Sequence, residues 1–152
     1  MLPVFICSSN NKNLQIYKQI VSTFGDRNSS AGIRIVCCST NPKDVLRLLK
    51  LRHGPALYCL DVFGGKSNNF LLAQSIREHD PRAYIIILSS APDYSQAIES
   101  NMEFLAYIDK NAPDIVEQLY SSLFIVSALH KRVTSLRHCS KCLLFLPHRN
   151  IA

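Results

Sequence analysis

The sequence lacks any apolar run long enough to cross a membrane. Its longest apolar runs, such as Tyr84 to Leu88 and Cys142 to Leu146, fall well short of the roughly 18 residues that a spanning helix needs. The start, Met1-Leu2-Pro3, also lacks the basic segment that opens a secretory signal peptide. Because both signals are missing, we expect a soluble, cytoplasmic protein that does not engage membranes.

Acidic residues are absent from His130 to the end of the chain. That segment carries five of the 17 Lys and Arg residues, and the other 12 nearly cancel the 11 Asp and Glu residues of the chain. The net charge of +6 therefore belongs almost entirely to the C-terminal segment. A segment of this kind suits nucleic acid or an acidic partner, and a solvated linker is the plainer alternative.

Disordered tracts are missing as well, since 47% of the residues are hydrophobic and 18% are charged. A chain of 152 residues with this composition predicts one domain with one core. Of the six cysteines, four lie inside apolar runs, and we expect them to be buried free thiols rather than disulfides. These four are Cys7, Cys37, Cys38 and Cys59.

Short apolar runs alternate with amphipathic stretches along the chain. This alternation is typical of βαβ units that build a parallel sheet covered by helices on both faces. Right-handed crossovers would give an open, doubly wound α/β fold, for which we expect the strand order 2-1-3-4-5. The five predicted strands are Leu2–Cys7, Ile33–Cys38, Ala56–Leu60, Ala83–Ser89 and Phe104–Ile108.

Helices are predicted between these strands. The first begins near Asn11, buries one face and ends at Gly25. The second begins at Thr40-Asn41-Pro42, where a polar cap precedes a proline, and it stops at His53-Gly54-Pro55. The third and fourth helices are predicted over Asn68–His79 and Tyr94–Asn101.

The last helix begins after Pro113 and carries a heptad pattern. We expect its first half, up to Leu123, to pack on the sheet. The repeat continues past the length that a sheet needs, so beyond Val126 it favours pairing with a second copy in a homodimer, or with an attached domain. The heptad positions are Ile115, Leu119, Ser122, Val126, Leu129, Val133 and Leu136.

Polar residues follow the predicted strands at the edge where a doubly wound sheet places its reactive groups. We expect them to form one shallow pocket that holds a carboxylate, hydroxyls and an ammonium group. No glycine-rich phosphate loop follows the first strand, which argues against the alternative of a nucleotide-binding enzyme. The pocket residues are Ser8, Ser9, Asn10, Asp61, Ser89, Ser90, Asp109 and Lys110.

From Leu2 to Leu129 the sequence resembles the receiver domain of bacterial two-component response regulators, whose fold is flavodoxin-like. The resemblance rests on three strand ends in order, Leu57 to Asp61, Ile87 to Ser90 and Ala106 to Lys110. The stretches Ser75-Ile76-Arg77-Glu78-His79-Asp80-Pro81 and Asp109-Lys110-Asn111-Ala112-Pro113 resemble the branch with a LytTR DNA-binding output domain. The resemblance implies the input domain of a transcription regulator in a phosphorelay. By this resemblance we expect a domain that is served by a sensor histidine kinase or another signalling protein and that is not itself an enzyme.

The resemblance also implies roles for single residues. Asp61 holds the phosphoacceptor position, where the carboxylate attacks a phosphoryl group. Lys110 would neutralise the phosphoryl oxygens, and Ser89 would donate a hydrogen bond to one of them. Tyr107 matches the switch aromatic, which changes the surface of the fourth helix, fifth strand and last helix where partners dock. Asp61 and the backbone carbonyl of Phe63 match ligands of Mg²⁺.

The sequence departs from the family at the end of the first strand, where two adjacent acids are usual and this chain has Ser8 and Ser9. Mg²⁺ affinity should fall, and phosphoryl transfer should slow greatly. Asn111 stands where many receivers have proline, which removes the usual reason for a cis bond after Lys110. We therefore expect a receiver with a degenerate magnesium pair. The alternative is a phosphorylation-independent pseudo-receiver that serves as a dimerisation or interaction module.

The C-terminal segment, residues 130–152, is predicted to be a basic linker and helix extension outside the receiver domain of residues 1–129. One CxxC, in His138-Cys139-Ser140-Lys141-Cys142 with His148 beyond it, is a poor match to a structural zinc site. A different interpretation takes Cys142 to Ile151 as the first hairpin of a truncated LytTR-like output domain. DNA would then be bound only through the missing part of that domain.

Overall fold

The computed structural model describes the backbone of residues 1–62, 68–90 and 102–143, and the side chains of residues 1–62, 69–90 and 102–138. Within these ranges a parallel sheet of five strands is flanked by helices. The strands are β1 (Leu2–Ser8), β2 (Ile33–Ser39), β3 (Leu57–Asp61), β4 (Tyr84–Ser89) and β5 (Ala106–Asp109). The helices are α1 (Asn11–Arg27), α2 (Pro42–Lys50), α3 (Asn68–His79) and the C-terminal helix α4 (Ile115–Leu143), with a short 3-10 turn at Ser29–Ala31.

The sheet has the order β2-β1-β3-β4-β5, with parallel pairing throughout. This confirms the predicted doubly wound architecture. Each strand runs in the same direction, so the polar residues that follow β1, β3, β4 and β5 meet at one edge. The register places Ser8 directly beside Asp61, and it places Ser89 beside Asp109.

Two buried clusters cover the two faces of the sheet. On one face, α1 and α4 pack against alternate residues of the central strands, with Phe24 in edge contact with both Tyr120 and Phe124. On the other face, α2 and α3 cover the remaining strand residues, where Phe5 stacks on Tyr58 at a centroid distance of 4.8 Å. Because both faces are covered, β1, β3 and β4 consist almost wholly of buried residues, as the apolar runs predicted.

The first helix ends later than the sequence predicts. It continues through Gly25 to Arg27, so the expectation that Gly25 terminates it was wrong. Gly25 does not adopt the left-handed conformation that would end a helix there. Instead the helix ends at Asn28, whose backbone leaves the helical conformation and whose side-chain amide donates to the Phe24 carbonyl.

The C-terminal helix contacts the domain further along its length than expected. Packing was predicted up to Leu123, yet Val126 and Ser127 are buried as well. The Ser127 hydroxyl donates to the Ala31 carbonyl at 2.7 Å, and the His130 ring lies edge-on to Tyr84. From residue 131 to residue 138 every side chain is exposed. The helix therefore leaves the domain body about one turn later than the heptad argument placed it.

The cysteines divide between the centre and the edge of the sheet. Cys7 and Cys59 are fully buried free thiols, as predicted, and burial raises the pKa of each to about 12. Cys37 and Cys38 are free but only half-buried, because β2 is an edge strand and its outer side is open. Among the described residues, no helix combines the length and the apolar character that crossing a membrane would require.

Arg77 fastens α3 to the loops on either side of β4. Its guanidinium donates to the carbonyls of Pro81, Ala83 and Glu103 at 2.7 to 2.8 Å.

We expect Arg77→Ala to lower the free energy of unfolding by about 2–3 kcal/mol, because hydrogen bonds to a charged group are lost and carbonyls are left unpaired. Arg82→Ala removes a single ion pair at 3.9 Å, exposed on the arginine side, and should lower the free energy of unfolding by less than about 1 kcal/mol. Urea titration of both variants measures the two effects. Equal effects of the two variants would contradict the assignment.

Candidate functional site

A buried carboxylate lies at the carboxyl end of the central strand. Asp61 ends β3, and only 1% of its surface is exposed. Its Oδ2 accepts hydrogen bonds from the Ser8 hydroxyl at 2.7 Å and from the Asn13 side-chain amide at 3.2 Å. Its Oδ1 accepts from the Lys110 ammonium at 3.0 Å. We call these four residues, Ser8, Asn13, Asp61 and Lys110, the Asp61 cluster.

Ser8 reaches Asp61 because the β1–β3 register sets the two residues side by side. Its hydroxyl has one proton to donate. The shorter hydrogen bond goes to the Asp61 carboxylate at 2.7 Å, and the Asn10 carbonyl lies further away at 3.1 Å. The same hydroxyl oxygen then accepts from the Asn10 backbone N–H at 3.2 Å. Ser8 is fully buried, so its polar group is committed inside the protein and is not presented to solvent.

Lys110 supplies the counter-charge. It follows β5, and its backbone N–H donates to the Ser89 carbonyl at 2.9 Å, which holds the residue at the sheet edge. Its ammonium lies 3.0 Å from both Asp61 Oδ1 and the Val62 carbonyl, and its side chain is 9% exposed. The buried charges of Asp61 and Lys110 thus neutralise each other, which is the condition under which buried charges are tolerated.

Side chains behind the cluster fix the Asp61 backbone and crowd its carboxylate. Asn69, at the start of α3, donates from its amide to the Asp61 carbonyl, while its amide oxygen lies 3.7 Å from the Cys7 thiol. The Tyr17 phenol of α1 is buried beside the carboxylate. Burial first, and then the negative charge of Asp61, raise the pKa of that phenol. Asp61 is therefore enclosed by α1, α3 and β1.

The other residues predicted at this edge have different surroundings. Ser89 is fully buried, and its hydroxyl donates to the Ser90 carbonyl at 3.2 Å. Asn10 is the N-cap of α1, where its side chain accepts from the Asn13 N–H, and Ser9 is exposed. Tyr107 lies half-buried in β5 and packs against the hydrophobic residues that α2 and α3 cover.

A few expectations fall on residues that the structure does not describe. These are the Phe63 carbonyl, the predicted helix Tyr94–Asn101, and the side chains of the CxxC segment from Cys139 onward. For the predicted hairpin from Cys142 to Ile151, the described backbone extends only to Leu143, and there it is still helical. In the described ranges no peptide bond is cis, so the bond between Lys110 and Asn111 is trans.

The residues of the site that the structure describes do not offer Mg²⁺ a full set of ligands. This ion takes about six oxygen ligands in near-octahedral geometry, usually with one or two carboxylates among them. Here Asp61 is the single carboxylate of the cluster, and both of its oxygens already accept from O–H or N–H donors. The described residues contain no group of three His, Cys, Asp or Glu side chains that could hold a metal ion. Within the described cluster, the Lys110 ammonium offsets the charge of the Asp61 carboxylate.

Three of the four residues of the Asp61 cluster were predicted from the sequence to lie in one pocket. Asp61 and Lys110 were predicted to meet, and Ser8 was placed in the same pocket. Asn13 was missed, although its position three residues after the helix cap Asn10 puts it in the first turn of α1, facing the sheet edge. Asn69 was missed because its contact is made to the Asp61 backbone, which no side-chain pattern reveals.

Solved structures with a similar fold include response-regulator receiver domains. One from Clostridium thermocellum has 15% identity over 88% of this chain and 99% of its own, with a TM-score of 0.69. The response regulatory domain of mrkE from Klebsiella pneumoniae has 19% identity over 86% of this chain and 99% of its own, with a TM-score of 0.68. The protein TrrA from Thermotoga maritima, solved in complex with Mg²⁺ and BeF, has 17% identity over 80% of this chain and 99% of its own, with a TM-score of 0.58. No family model and no curated protein matches the sequence significantly. These likenesses establish the flavodoxin-like receiver fold.

Proposed function

We propose that this chain is a receiver-type signalling domain whose Asp61 cluster is held together by protein groups and is phosphorylated slowly or not at all. The observation that carries the proposal is the hydrogen bond from Ser8 to Asp61 Oδ2, formed where the receiver pattern has an acidic residue. A hydroxyl donates a hydrogen bond to the Asp61 carboxylate and stabilises its charge. A second carboxylate in that place would repel Asp61, and a cation would be needed to offset the two charges. The cluster is therefore complete without metal.

The chemistry of phosphorylation supports the same conclusion. A phosphoryl group carries several negative charges, and its transfer depends on positioning and on neutralising charge that develops on its oxygens. Among the residues that the structure describes, Lys110 is the cation that contacts Asp61, and the two charges are already paired. The Asp61 oxygens would have to give up donors from Ser8 and Asn13 before either could attack. Both features raise the barrier.

We propose that signalling depends instead on protein contacts of the kind that receivers make. A histidine kinase or another signalling protein would bind the domain. Its message would pass to a separate output domain, for which a LytTR-like DNA-binding domain stays the prediction from sequence. Ser89 and Tyr107 would then keep one arrangement, since no phosphoryl group draws the Ser89 hydroxyl away from the Ser90 carbonyl.

The proposal predicts the outcome of a direct phosphorylation assay. After incubation with acetyl phosphate, with Mg²⁺ or with EDTA, the intact mass of the protein should show no stoichiometric phosphoryl adduct. Asp61→Asn is the matched control, because it keeps the shape of the residue and an acceptor oxygen for Ser8. A Mg²⁺-dependent adduct that peptide mapping locates on Asp61, and that Asp61→Asn removes, would show that the site is a working phosphoacceptor.

A further inference from the structure

The C-terminal helix carries an exposed apolar stripe where it leaves the domain body. Ile125, Leu129, Val133 and Leu136 are 54%, 38%, 38% and 68% exposed. At about 100° per residue, these four lie within about 80° of the helix circumference. We call them the helix stripe. It lies beside the row of Leu119, Ser122, Leu123 and Val126, which packs on the sheet.

Basic residues border the stripe, and acidic residues are absent around it. At the same spacing, Arg132 falls on one side of the stripe and Arg137 on the other, while Lys131 lies on the far face. All three are exposed. The sequence contains no Asp or Glu from Gln118 to its end, so nothing along this part of the helix offsets their charge. An apolar seam between two cationic edges is the pattern that results.

We propose that the helix stripe binds an acidic amphipathic helix of a partner protein in a short two-helix coiled coil. The stripe would form one half of the apolar seam, and Arg132 and Arg137 would meet carboxylates on the flanks of the partner helix. In coiled coils these flanking positions set partner choice through charge. The partner is therefore identified by its chemistry, an apolar seam bordered by Glu or Asp.

The charges favour such a partner over a second copy of this chain. The heptad spacing alone favours pairing with a second copy or with an attached domain, but pairing two copies would bring the same cations together with no carboxylate to separate them. Like charges across a coiled-coil flank are destabilising, and natural sequences use them to exclude the wrong partner. The homodimer therefore becomes the rival outcome of the test.

The shape of the stripe argues against a membrane or nucleic acid as the occupant. A helix that lies in a lipid interface buries a wide apolar face, whereas the width of about 80° here is typical of a coiled-coil seam. Nucleic acid binds through cations to its phosphates and gains little from an apolar seam. Neither occupant would explain why Leu129 and Val133 lie between the two arginines.

Binding of a synthetic peptide to the full chain tests the proposal. The probe is a fluorescent three-heptad peptide with Leu at the seam positions and Glu at the flanks, followed by fluorescence anisotropy. We expect a dissociation constant in the tens of micromolar, weakened by about tenfold between 50 mM and 500 mM salt because the flanking pairs are exposed. Val133→Gln should weaken binding at least about tenfold, and Ser135→Gln, on the outer face, should leave it unchanged.

A charge exchange separates specific pairing from general attraction. The double variant Arg132→Glu/Arg137→Glu should no longer bind the peptide with Glu at the flanks. It should bind instead a matched peptide that has Lys at those positions. The proposal fails if the native chain does not bind the Glu peptide, or if Val133→Gln binds it as well as the native chain does. It fails equally if sedimentation shows a stable homodimer that Val133→Gln dissociates, or if vesicles of anionic lipid or duplex DNA bind more tightly than the peptide and compete with it. None of these results depends on whether Asp61 accepts a phosphoryl group.

Discussion

Replacement of Asp61 by alanine should lower the free energy of unfolding by about 3–5 kcal/mol, because it leaves one partner of a buried ion pair alone. Lys110, whose side chain is 9% exposed, would lose its carboxylate partner, while its hydrogen bond to the Val62 carbonyl would remain. Ser8 and Asn13 would also lose the acceptor of their hydrogen bonds. Since domains of this size are stable by about 5–15 kcal/mol, a large part of the stability would be lost. Urea denaturation followed by circular dichroism measures it.

A second substitution separates the ion pair from other effects at this position. Lys110→Met in the Asp61→Ala background removes the buried cation that has lost its carboxylate, so the double variant should be more stable than Asp61→Ala alone. The double-mutant cycle gives the coupling between the two residues, which should exceed about 1 kcal/mol for groups in direct contact. If Asp61→Ala costs less than about 1 kcal/mol by itself, the carboxylate is solvated in solution and the cluster described above does not form there.

The strands and their order could be predicted because burial on both faces leaves a direct mark on the sequence. Runs such as Tyr84 to Leu88 contain almost no polar residue, and βαβ connections allow few arrangements. Helix ends were harder, since they depend on hydrogen bonds rather than on hydrophobic pattern. Gly25 has the composition of a helix end, yet Asn28 provides the actual cap through the Phe24 carbonyl. The difference of two residues has no counterpart in the apolar periodicity.

The contents of the site were predictable, but its hydrogen bonds were not. The strand ends placed Ser8, Asp61 and Lys110 together, because parallel strands finish at one edge. Which hydroxyl would touch the carboxylate depends on register, and β1 pairs with β3 so that Ser8 lies beside Asp61 while Ser9 is exposed. The Asn10 side chain caps α1. Asn13 donates a hydrogen bond to Asp61 Oδ2, the oxygen that also accepts from Ser8. Register and capping together decide these contacts.

The heptad pattern shows a different limit of prediction. A repeat predicts which residues share a helix face, but the point where the sheet ends decides which of them are covered. Val126 and Leu129 are neighbouring heptad positions, and the first is fully buried while the second is 38% exposed. The contact between His130 and Tyr84, the first residue of β4, marks the boundary.

Ser8→Asp should make the protein depend on Mg²⁺. The new carboxylate would lie beside Asp61 in a fully buried position, with Lys110 able to neutralise only one of the two charges. In EDTA we expect a loss of about 3 kcal/mol in the free energy of unfolding, since an uncompensated buried charge is costly. With two carboxylates present the site gains the ligands that Mg²⁺ prefers. At a Mg²⁺ concentration of 100 times the dissociation constant, binding should restore about 2.7 kcal/mol.

Urea titrations in EDTA and in MgCl₂ measure this dependence, and two matched proteins control it. Ser9→Asp adds the same charge at an exposed position, so its stability should change by less than about 0.5 kcal/mol in either buffer. The native protein should give the same midpoint with and without Mg²⁺, because its cluster is complete without the ion. A clear rise in the midpoint of the native protein in MgCl₂ would mean that its single carboxylate is enough to hold the metal. The native site would then bind Mg²⁺ through one carboxylate, and slow phosphorylation would no longer be expected.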